Sequence, residues 1–164
     1  EVLTRTDELT GLLNRRGFGT HIQQRSRNHA LEGLSLILID CDRFKHVNDA
    51  HGHLSGDRVL QAVANLLRAV AGPDDVACRL GGDEFCLLVQ GDQQPELEHM
   101  ADYILGSARA LMRMHHNPPQ MTTLSLGVCT IGPGAQDWEH WYTQADTALY
   151  RAKRLGGDRV EWQE

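Results

Sequence analysis

Two adjacent carboxylates, Asp83 and Glu84, occupy an unusual setting in this sequence. One apolar run, residues 76–80, leads into them through Gly81-Gly82, and a second run, residues 85–89, leads out. Two strand-like runs joined by a short glycine-containing turn predict a β-hairpin. Paired negative charge at its tip is unfavourable unless a cation neutralises it, and the glycines would let a metal or a phosphate approach the backbone. An ordinary turn is the alternative interpretation.

A second candidate ligand, Asp40, follows a nearly continuous apolar run at residues 34–39. Such a run is typical of a central strand that is covered on both faces. If this strand neighbours the hairpin, Asp40 and Asp83 converge and could hold divalent cations through oxygen ligands. Asp40 could instead cap the helix that is predicted to follow. An EF-hand is excluded, because Lys45 stands where the calcium loop needs glycine and His51 where it needs glutamate.

The composition is that of a small globular domain. The chain has 164 residues, of which 41% are hydrophobic and 23% charged, and this suits one domain with a single core. No apolar run approaches the roughly 20 residues of a membrane span, and no signal peptide is visible. The net charge of −6 argues against general nucleic-acid binding. We therefore expect a domain that contacts neither a membrane nor nucleic acid.

The cysteines and histidines show no metal-binding pattern. All four cysteines lie in strand-like runs without Cys-x-x-Cys spacing, at positions Cys41, Cys78, Cys86 and Cys129. Buried free thiols in a reducing cytoplasm are the simplest interpretation. The pair His115-His116 lacks a further ligand at suitable spacing and is interpreted as an exposed helix end.

Hydrophobic periodicity predicts alternating helices and strands. The helices are expected at about 14–28, 44–50, 56–71, 95–115 and 138–155, and the strands at 34–39, in the hairpin, at 123–131 and at 160–162. The hairpin makes a purely parallel sheet impossible. The pattern therefore predicts an α/β fold of the α+β type, a mixed central β-sheet with helices on both faces. We expect residues 1–6 to end an upstream linker or signalling helix of a longer protein, and residues 7–164 to form the domain.

Five blocks of sequence, in matching order and spacing, resemble the GGDEF domain family, the diguanylate cyclases. The signature is Gly81-Gly82-Asp83-Glu84-Phe85, and the other blocks are residues 7–16, 40–45, 48–57 and 145–153. The resemblance covers nearly the whole chain. It implies a fold related to the palm of nucleotide cyclases and polymerases, with the hairpin in the active site. The implied reaction condenses two GTP into cyclic di-GMP and two pyrophosphates.

The resemblance also implies a metal site. Asp40, Asp83 and the main-chain carbonyl of Cys41 would bind two Mg²⁺ or Mn²⁺ ions. The family usually has an aliphatic residue at the position of Cys41, but a backbone ligand should tolerate the change. Asp83 or Glu84 is the implied proton acceptor, and Lys45 would stabilise the transition state through the phosphates.

Substrate contacts are implied at further positions. Guanine presents two adjacent donors that one carboxylate can accept, and Asp57 has the position of this carboxylate. Asn48 has the position of a second guanine contact. Taken alone, Asp57 could equally cap a helix and Asn48 could serve a turn. The other implied substrate-binding residues are Phe44, His53, Arg79, Gly81, Gly82 and Lys153.

The reaction implies a homodimer. One site holds one GTP, whereas the product contains two guanylates, so two domains must meet face to face with two-fold symmetry. An upstream sensory or dimerising domain is also implied. The alternative is a catalytically silent GGDEF domain that binds GTP and regulates an attached domain.

Two positions depart from the family pattern. Gly157 stands where the family commonly has an arginine that contacts the terminal phosphate. The change removes one positive contact, for which Arg154 or Arg159 could substitute. Gly72 replaces the arginine of the Arg-x-x-Asp product-inhibition motif, of which only Asp75 remains.

The missing arginine leads to a first prediction. Arginine would grip a guanine and a phosphate bidentately, and glycine cannot. We expect no strong feedback inhibition through this site when the initial rate is titrated with cyclic di-GMP. Sub-micromolar inhibition would contradict this expectation.

Overall fold

The structure is a computed structural model that describes residues 4–28, 31–132 and 137–164. Its helices and strands alternate broadly as predicted. In chain order they are α1 Arg15–Arg27, β1 Leu34–Cys41, α2 Phe44–His51, α3 His53–Val70, β2 Val76–Gly81, β3 Glu84–Gln90, α4 Gln94–Met114, β4 Leu124–Thr130, α5 Trp138–Arg154 and β5 Arg159–Trp162.

A five-stranded sheet of order β2-β3-β1-β4-β5 forms the centre of the fold. The middle strand β1 pairs antiparallel with both β3 and β4, and β2 pairs antiparallel with β3. Strands β4 and β5 are parallel. The sheet is therefore mixed, and the hairpin β2–β3 lies directly beside β1.

Helices cover both faces of the sheet, and β1 shows why its sequence is apolar throughout. Ile37 and Ile39 pack in one cluster with α3 and α4, whereas Leu36 and Leu38 pack in another with α1 and α5. Successive side chains of a strand point to opposite faces. Because both faces are covered, every residue of β1 is buried.

Two boundaries differ from the sequence prediction. Helix α3 begins at His53, three residues before the predicted start at Gly56, because Gly52 with φ 87° already separates it from α2. Strand β1 continues through Asp40 to Cys41, because both residues also pair with β4. Asp40 is therefore a strand residue inside the sheet rather than the residue that ends the strand.

The chain before α1 lies against the outer edge of the hairpin. Residues 4 and 5 belong to no helix or strand, and Thr6 forms an isolated bridge with Leu13. The Arg79 N–H donates to the Leu13 carbonyl at 2.9 Å, so Leu13 covers part of the outer edge of β2. Residues 1–6 were predicted to end an upstream linker or helix. Residues 4–6 are not helical. Residues 1–3 lie outside the described residues, and the upstream region stays a prediction.

The expectations for cysteines and histidines agree with the fold. All four cysteines are free and buried. His115 and His116 are exposed at the end of α4. Among the helices of the described ranges, none has the length and apolar character needed to cross a membrane.

Gly127 marks the closest packing of α5 on the sheet. A Cβ at this position would lie 2.2 Å from the Ala145 carbonyl oxygen and 2.4 Å from the Leu149 nitrogen. We expect Gly127→Ala to lower the free energy of unfolding by about 1–3 kcal/mol, because helix backbone must move away from the sheet.

The matched control is Gly106→Ala in α4, where a Cβ meets nothing within 4 Å. This change should be neutral or should stabilise by up to about 1 kcal/mol, since alanine favours a helix. Urea denaturation of both variants measures the difference, and equal effects at the two glycines would contradict the packing argument.

Candidate active site

The pairing of β1 with β3 brings the two predicted ligand carboxylates together. Asp40 on β1 lies opposite Glu84, the first residue of β3, and Asp83 belongs to the two-residue turn before it. Gly81 has φ 150° and Gly82 has φ 52°, so the turn relies on glycine backbone geometry. The sequence analysis expected Asp40 and Asp83 to converge if the strand of Asp40 neighbours the hairpin. The fold meets this condition.

Asp40 is buried in an unfavourable state. It is 8% exposed, and burial raises the pKa of its carboxyl to about 7, with the neighbouring Asp83 carboxyl adding to the shift. Lys153 Nζ binds Asp40 Oδ2 and opposes the shift. Asp40 Oδ1 is buried without any hydrogen-bond partner. A buried acceptor without a donor beside a second carboxylate fits a bound cation.

The donor set is made of oxygen atoms. Within the described residues there is no group of three or more His, Cys, Asp and Glu side chains that could hold a metal. Burial raises the pKa of the Cys41 thiol well above its usual value, so the thiol stays neutral in the core. The predicted ligands, the side chains of Asp40 and Asp83 and the main-chain carbonyl of Cys41, would offer hard oxygen donors of the kind that Mg²⁺ and Mn²⁺ prefer.

Glu84 is held by a residue that the sequence analysis missed. The Tyr142 hydroxyl on α5 donates to Glu84 Oε1 at 2.8 Å, and Arg15 on α1 lies 4.0 Å from the same oxygen. Burial and the negative charge of Glu84 raise the pKa of Tyr142, so its phenol stays a donor. A separation of 58 residues gives no local signal for this contact.

Arg79 on β2 stabilises the turn of the hairpin through hydrogen bonds. Its guanidinium donates to the Gly82 carbonyl from Nε at 2.9 Å and from Nη2 at 2.8 Å. It also pairs with Asp7 at 3.1 Å, whose carboxylate accepts from the Thr10 amide and hydroxyl. Partial burial raises the pKa of Asp7, but the bonds from Thr10 and Arg79 outweigh it and lower the value. These contacts favour a positioning role for Arg79, and its predicted contact with substrate stays a prediction.

The predicted guanine contacts cluster where α2 meets α3. A Cβ on Gly56 would lie 1.9 Å from Asn48 Oδ1 and 3.2 Å from Phe44 Cζ, so only glycine allows this approach. Asn48 Oδ1 is buried without a partner. Asp57 follows Gly56 directly and is exposed. A polar atom without a partner beside an exposed carboxylate suits a ligand with several donors.

The other predicted substrate residues lie partly on α2 and α3 and partly near Asp40 and the hairpin. Lys45 on α2 and His53 at the start of α3 are exposed, and Lys153 projects from the last turn of α5 onto Asp40. Gly81 and Gly82 are exposed at the hairpin. Among the described residues, the predicted substrate and metal residues thus lie at two places. One is formed by the ends of β1, α5 and the hairpin, and the other is the α2–α3 junction.

Asp75, the remaining residue of the product-inhibition motif, serves the backbone. Its carboxylate accepts the Gly72 N–H at 2.7 Å and the Gln90 N–H at 2.8 Å. It therefore fixes the turn before β2 to the end of β3.

The pKa of Asp40 gives a prediction for the metal-free protein. Folding raises this pKa from 3.8 to about 7. The Asp40 carboxyl therefore makes its full contribution to the free energy of unfolding below pH 4, and this contribution is lost as the pH rises through 7. In EDTA, we expect Asp40→Asn to exceed wild type in unfolding free energy at pH 8 by at least about 1 kcal/mol, and to lose this advantage at pH 4.

Urea denaturation at both pH values measures the effect. Asp102→Asn, which replaces an exposed carboxylate on α4, is the control and should follow wild type at both. An Asp40→Asn difference that is the same at pH 4 and pH 8 would refute the assignment.

Proteins of known family are similar to this chain in sequence and in fold. The family model described as diguanylate cyclase, GGDEF domain, matches residues 4–159. The chain is 37% identical over 158 residues to diguanylate cyclase DgcP of Pseudomonas aeruginosa, covering 95% of this chain and 23% of DgcP. It is 35% identical over 155 residues to the cyclic di-GMP phosphodiesterase PdeR of Escherichia coli, covering 94% of this chain and 23% of PdeR. The chain therefore spans less than a quarter of either relative.

A solved structure matches over almost its full length. The GGDEF domain of DgcB from Caulobacter crescentus, in complex with c-di-GMP, superposes with a TM-score of 0.87 at 30% identity and covers 99% of this chain and 97% of that chain. The predicted mixed-sheet fold and the predicted family are both confirmed. The chain belongs to the GGDEF domain family, the family of diguanylate cyclase domains.

Proposed function

We propose that this chain is the catalytic domain of a diguanylate cyclase, which condenses two GTP into cyclic di-GMP and two pyrophosphates. The observation that carries the proposal is the buried Asp40 beside Asp83, with one oxygen on Lys153 and the other without a partner. A domain that holds no cation here would have no need to bury a carboxylate with an unpartnered oxygen at this place. A site that collects cations around a triphosphate would.

The proposed cofactor is Mg²⁺ or Mn²⁺, two ions per site. Asp40, Asp83 and the Cys41 carbonyl would hold them, as the unpartnered Asp40 oxygen supports. Bound there, the ions would supply the positive charge that phosphoryl transfer requires.

The protein's own residues would bind and orient the substrate. Asp57 and Asn48 would accept and donate on the pairing edge of guanine, with Phe44 and His53 lining the same pocket. Lys45 and Lys153 would offset the triphosphate charge. The exposed glycines Gly81 and Gly82 would let the phosphates approach the hairpin.

Proton transfer would occur at the hairpin. The 3′-hydroxyl of one GTP attacks the α-phosphorus of the other, and pyrophosphate leaves. Asp83 or Glu84 would accept the hydroxyl proton. The Tyr142 hydroxyl would hold the Glu84 carboxylate in a fixed orientation.

We further propose that the active species is a homodimer. Each domain would supply one GTP, and the two hairpins would face each other across a two-fold axis. GTP is an intracellular nucleotide, so we place the domain in the cytoplasm, attached to a sensory or dimerising region.

Feedback inhibition at the Arg-x-x-Asp site is proposed to be absent. The Asp75 carboxylate has both oxygens engaged by backbone donors, and Gly72 offers no side chain to a ligand.

A silent GTP-binding domain that regulates an attached domain is the second candidate. The match to PdeR favours it, because a phosphodiesterase carries a similar stretch. The two candidates predict the same binding and differ in turnover.

Turnover with GTP and Mg²⁺ tests the proposal, with products separated by chromatography. We expect cyclic di-GMP to form at a rate that rises more than linearly with protein concentration. Asp83→Ala should abolish it, whereas Asp102→Ala, which removes an exposed carboxylate on α4, should not.

A fused coiled coil controls for weak dimerisation. If the fusion binds GTP without forming product, the silent regulatory domain is the correct assignment. If it binds no GTP, both candidates fail.

A further inference from the structure

Asp42 lies at the end of β1, two residues after Asp40, and its carboxylate is fully engaged. Its Oδ2 accepts from the Thr123 hydroxyl at 2.7 Å, and its Oδ1 accepts from the buried Ser125 hydroxyl at 2.6 Å. Its Oδ2 also accepts the main-chain N–H of Asp158 at 2.8 Å. Charge-assisted bonds of this kind are the stronger ones in proteins. One carboxylate thus joins the end of β1, the start of β4 and the segment after α5.

That segment is the turn 156–158, which ends α5. The Gly156 N–H donates to the Lys153 carbonyl at 3.1 Å, and the Gly157 N–H donates to the Ala152 carbonyl at 3.0 Å. All three residues have positive φ, at 114°, 75° and 53°. The turn therefore closes the last helical turn of α5, the turn that contains Lys153.

Gly157 and the Asp42 carboxylate occupy adjoining space. A Cβ at residue 157 would lie 2.8 Å from both Cγ and Oδ2 of Asp42 and 2.9 Å from Oδ1. A side chain at residue 157 would also have to adopt a positive φ. Glycine is thus required here as long as Asp42 accepts the Asp158 N–H.

A second contact secures the turn from the opposite side. Arg109 on α4 donates from Nε to both carboxylate oxygens of Asp158, at 2.8 and 3.0 Å, and from Nη2 to its carbonyl at 3.2 Å. Asp158 is therefore held through its side chain by α4 and through its N–H by Asp42. Because Asp158 is held at its side chain and at its N–H, the turn keeps the end of α5 in place, and Lys153 of that helix binds Asp40.

We propose that Asp42 is a positioning residue for the phosphate site, which acts through the turn 156–158 on Lys153. The proposal rests on the proposed function, in which Lys153 contacts the GTP phosphates. It also gives Gly157 a role. The glycine leaves room for the Asp42 contact that places Lys153.

A double-mutant cycle tests this, with Asp42→Ala, Lys153→Gln and the double variant. The probe is guanosine α,β-methylenetriphosphate, which cannot react at its α-phosphorus, titrated with Mg²⁺ present. We expect Asp42→Ala to weaken binding about tenfold in wild type and less than twofold in Lys153→Gln, since a residue that acts through Lys153 has no effect without it. Multiplicative effects would overturn the proposal.

Two further variants separate positioning from general stability. Asp137→Ala removes the N-cap at the other end of α5, where Oδ1 accepts the His140 N–H at 3.0 Å, and should leave the affinity unchanged. Gly157→Arg should weaken binding although it adds positive charge, because it displaces Asp42. Tighter binding by Gly157→Arg, or an equal loss in Asp137→Ala, would count against Asp42 as a positioning residue.

Hydrogen exchange at the Asp158 amide provides a readout without nucleotide. We expect slow exchange in wild type and fast exchange in Asp42→Ala. If wild type protects this amide yet binds no nucleotide analogue, the proposed function has failed while the Asp42 contact stands. If Asp42→Ala leaves the exchange unchanged, the contact itself is refuted.

Discussion

The burial of the Asp40 charge is the constraint on which the rest of the site depends. A carboxylate that is 8% exposed, next to Asp83, is stable only if opposite charge is brought to it. The central position of β1 creates the burial, the hairpin brings the second carboxylate, and the end of α5 brings Lys153. Three elements that are distant in sequence thus meet at the carboxylate of Asp40.

Two aspartates near the end of β1 illustrate opposite uses of the same side chain. Asp42 has three donors and is satisfied by the protein alone. Asp40 has one donor and an oxygen without a partner. Unsatisfied buried groups are rare in folded proteins and tend to lie at functional sites. Asp42 is thus fully engaged within the fold, whereas Asp40 keeps one oxygen that a ligand could use.

The sequence predicted what depends on local pattern. The apolar run of β1 and the hairpin around Gly81-Gly82 have short-range signals, and both are present. The start of α3 was predicted too late, because the residues around Gly52 suggested a longer break between the two helices. Strand order and the meeting of Asp40 with Asp83 depend on pairing between distant segments, and periodicity does not encode partners.

Two contacts that sequence reasoning missed at the site are long-range. Tyr142 meets Glu84 across 58 residues, and the bond between Asp42 and the Asp158 N–H spans 116. Gly157 looked like the loss of a phosphate contact when it was compared with the family pattern alone. Its surroundings show a packing requirement that only coordinates reveal.

The contact of Leu13 with the outer edge of β2 affects how copies of this chain can associate. An exposed strand edge is a template for sheet extension and aggregation, and β2 and β5 are the two outer strands. Leu13 already accepts the Arg79 N–H on the β2 side, and β5 has only four residues to offer. Growth of the sheet into a chain of copies is therefore obstructed at both margins. The edges of this sheet thus offer little free backbone through which copies of the chain could polymerise.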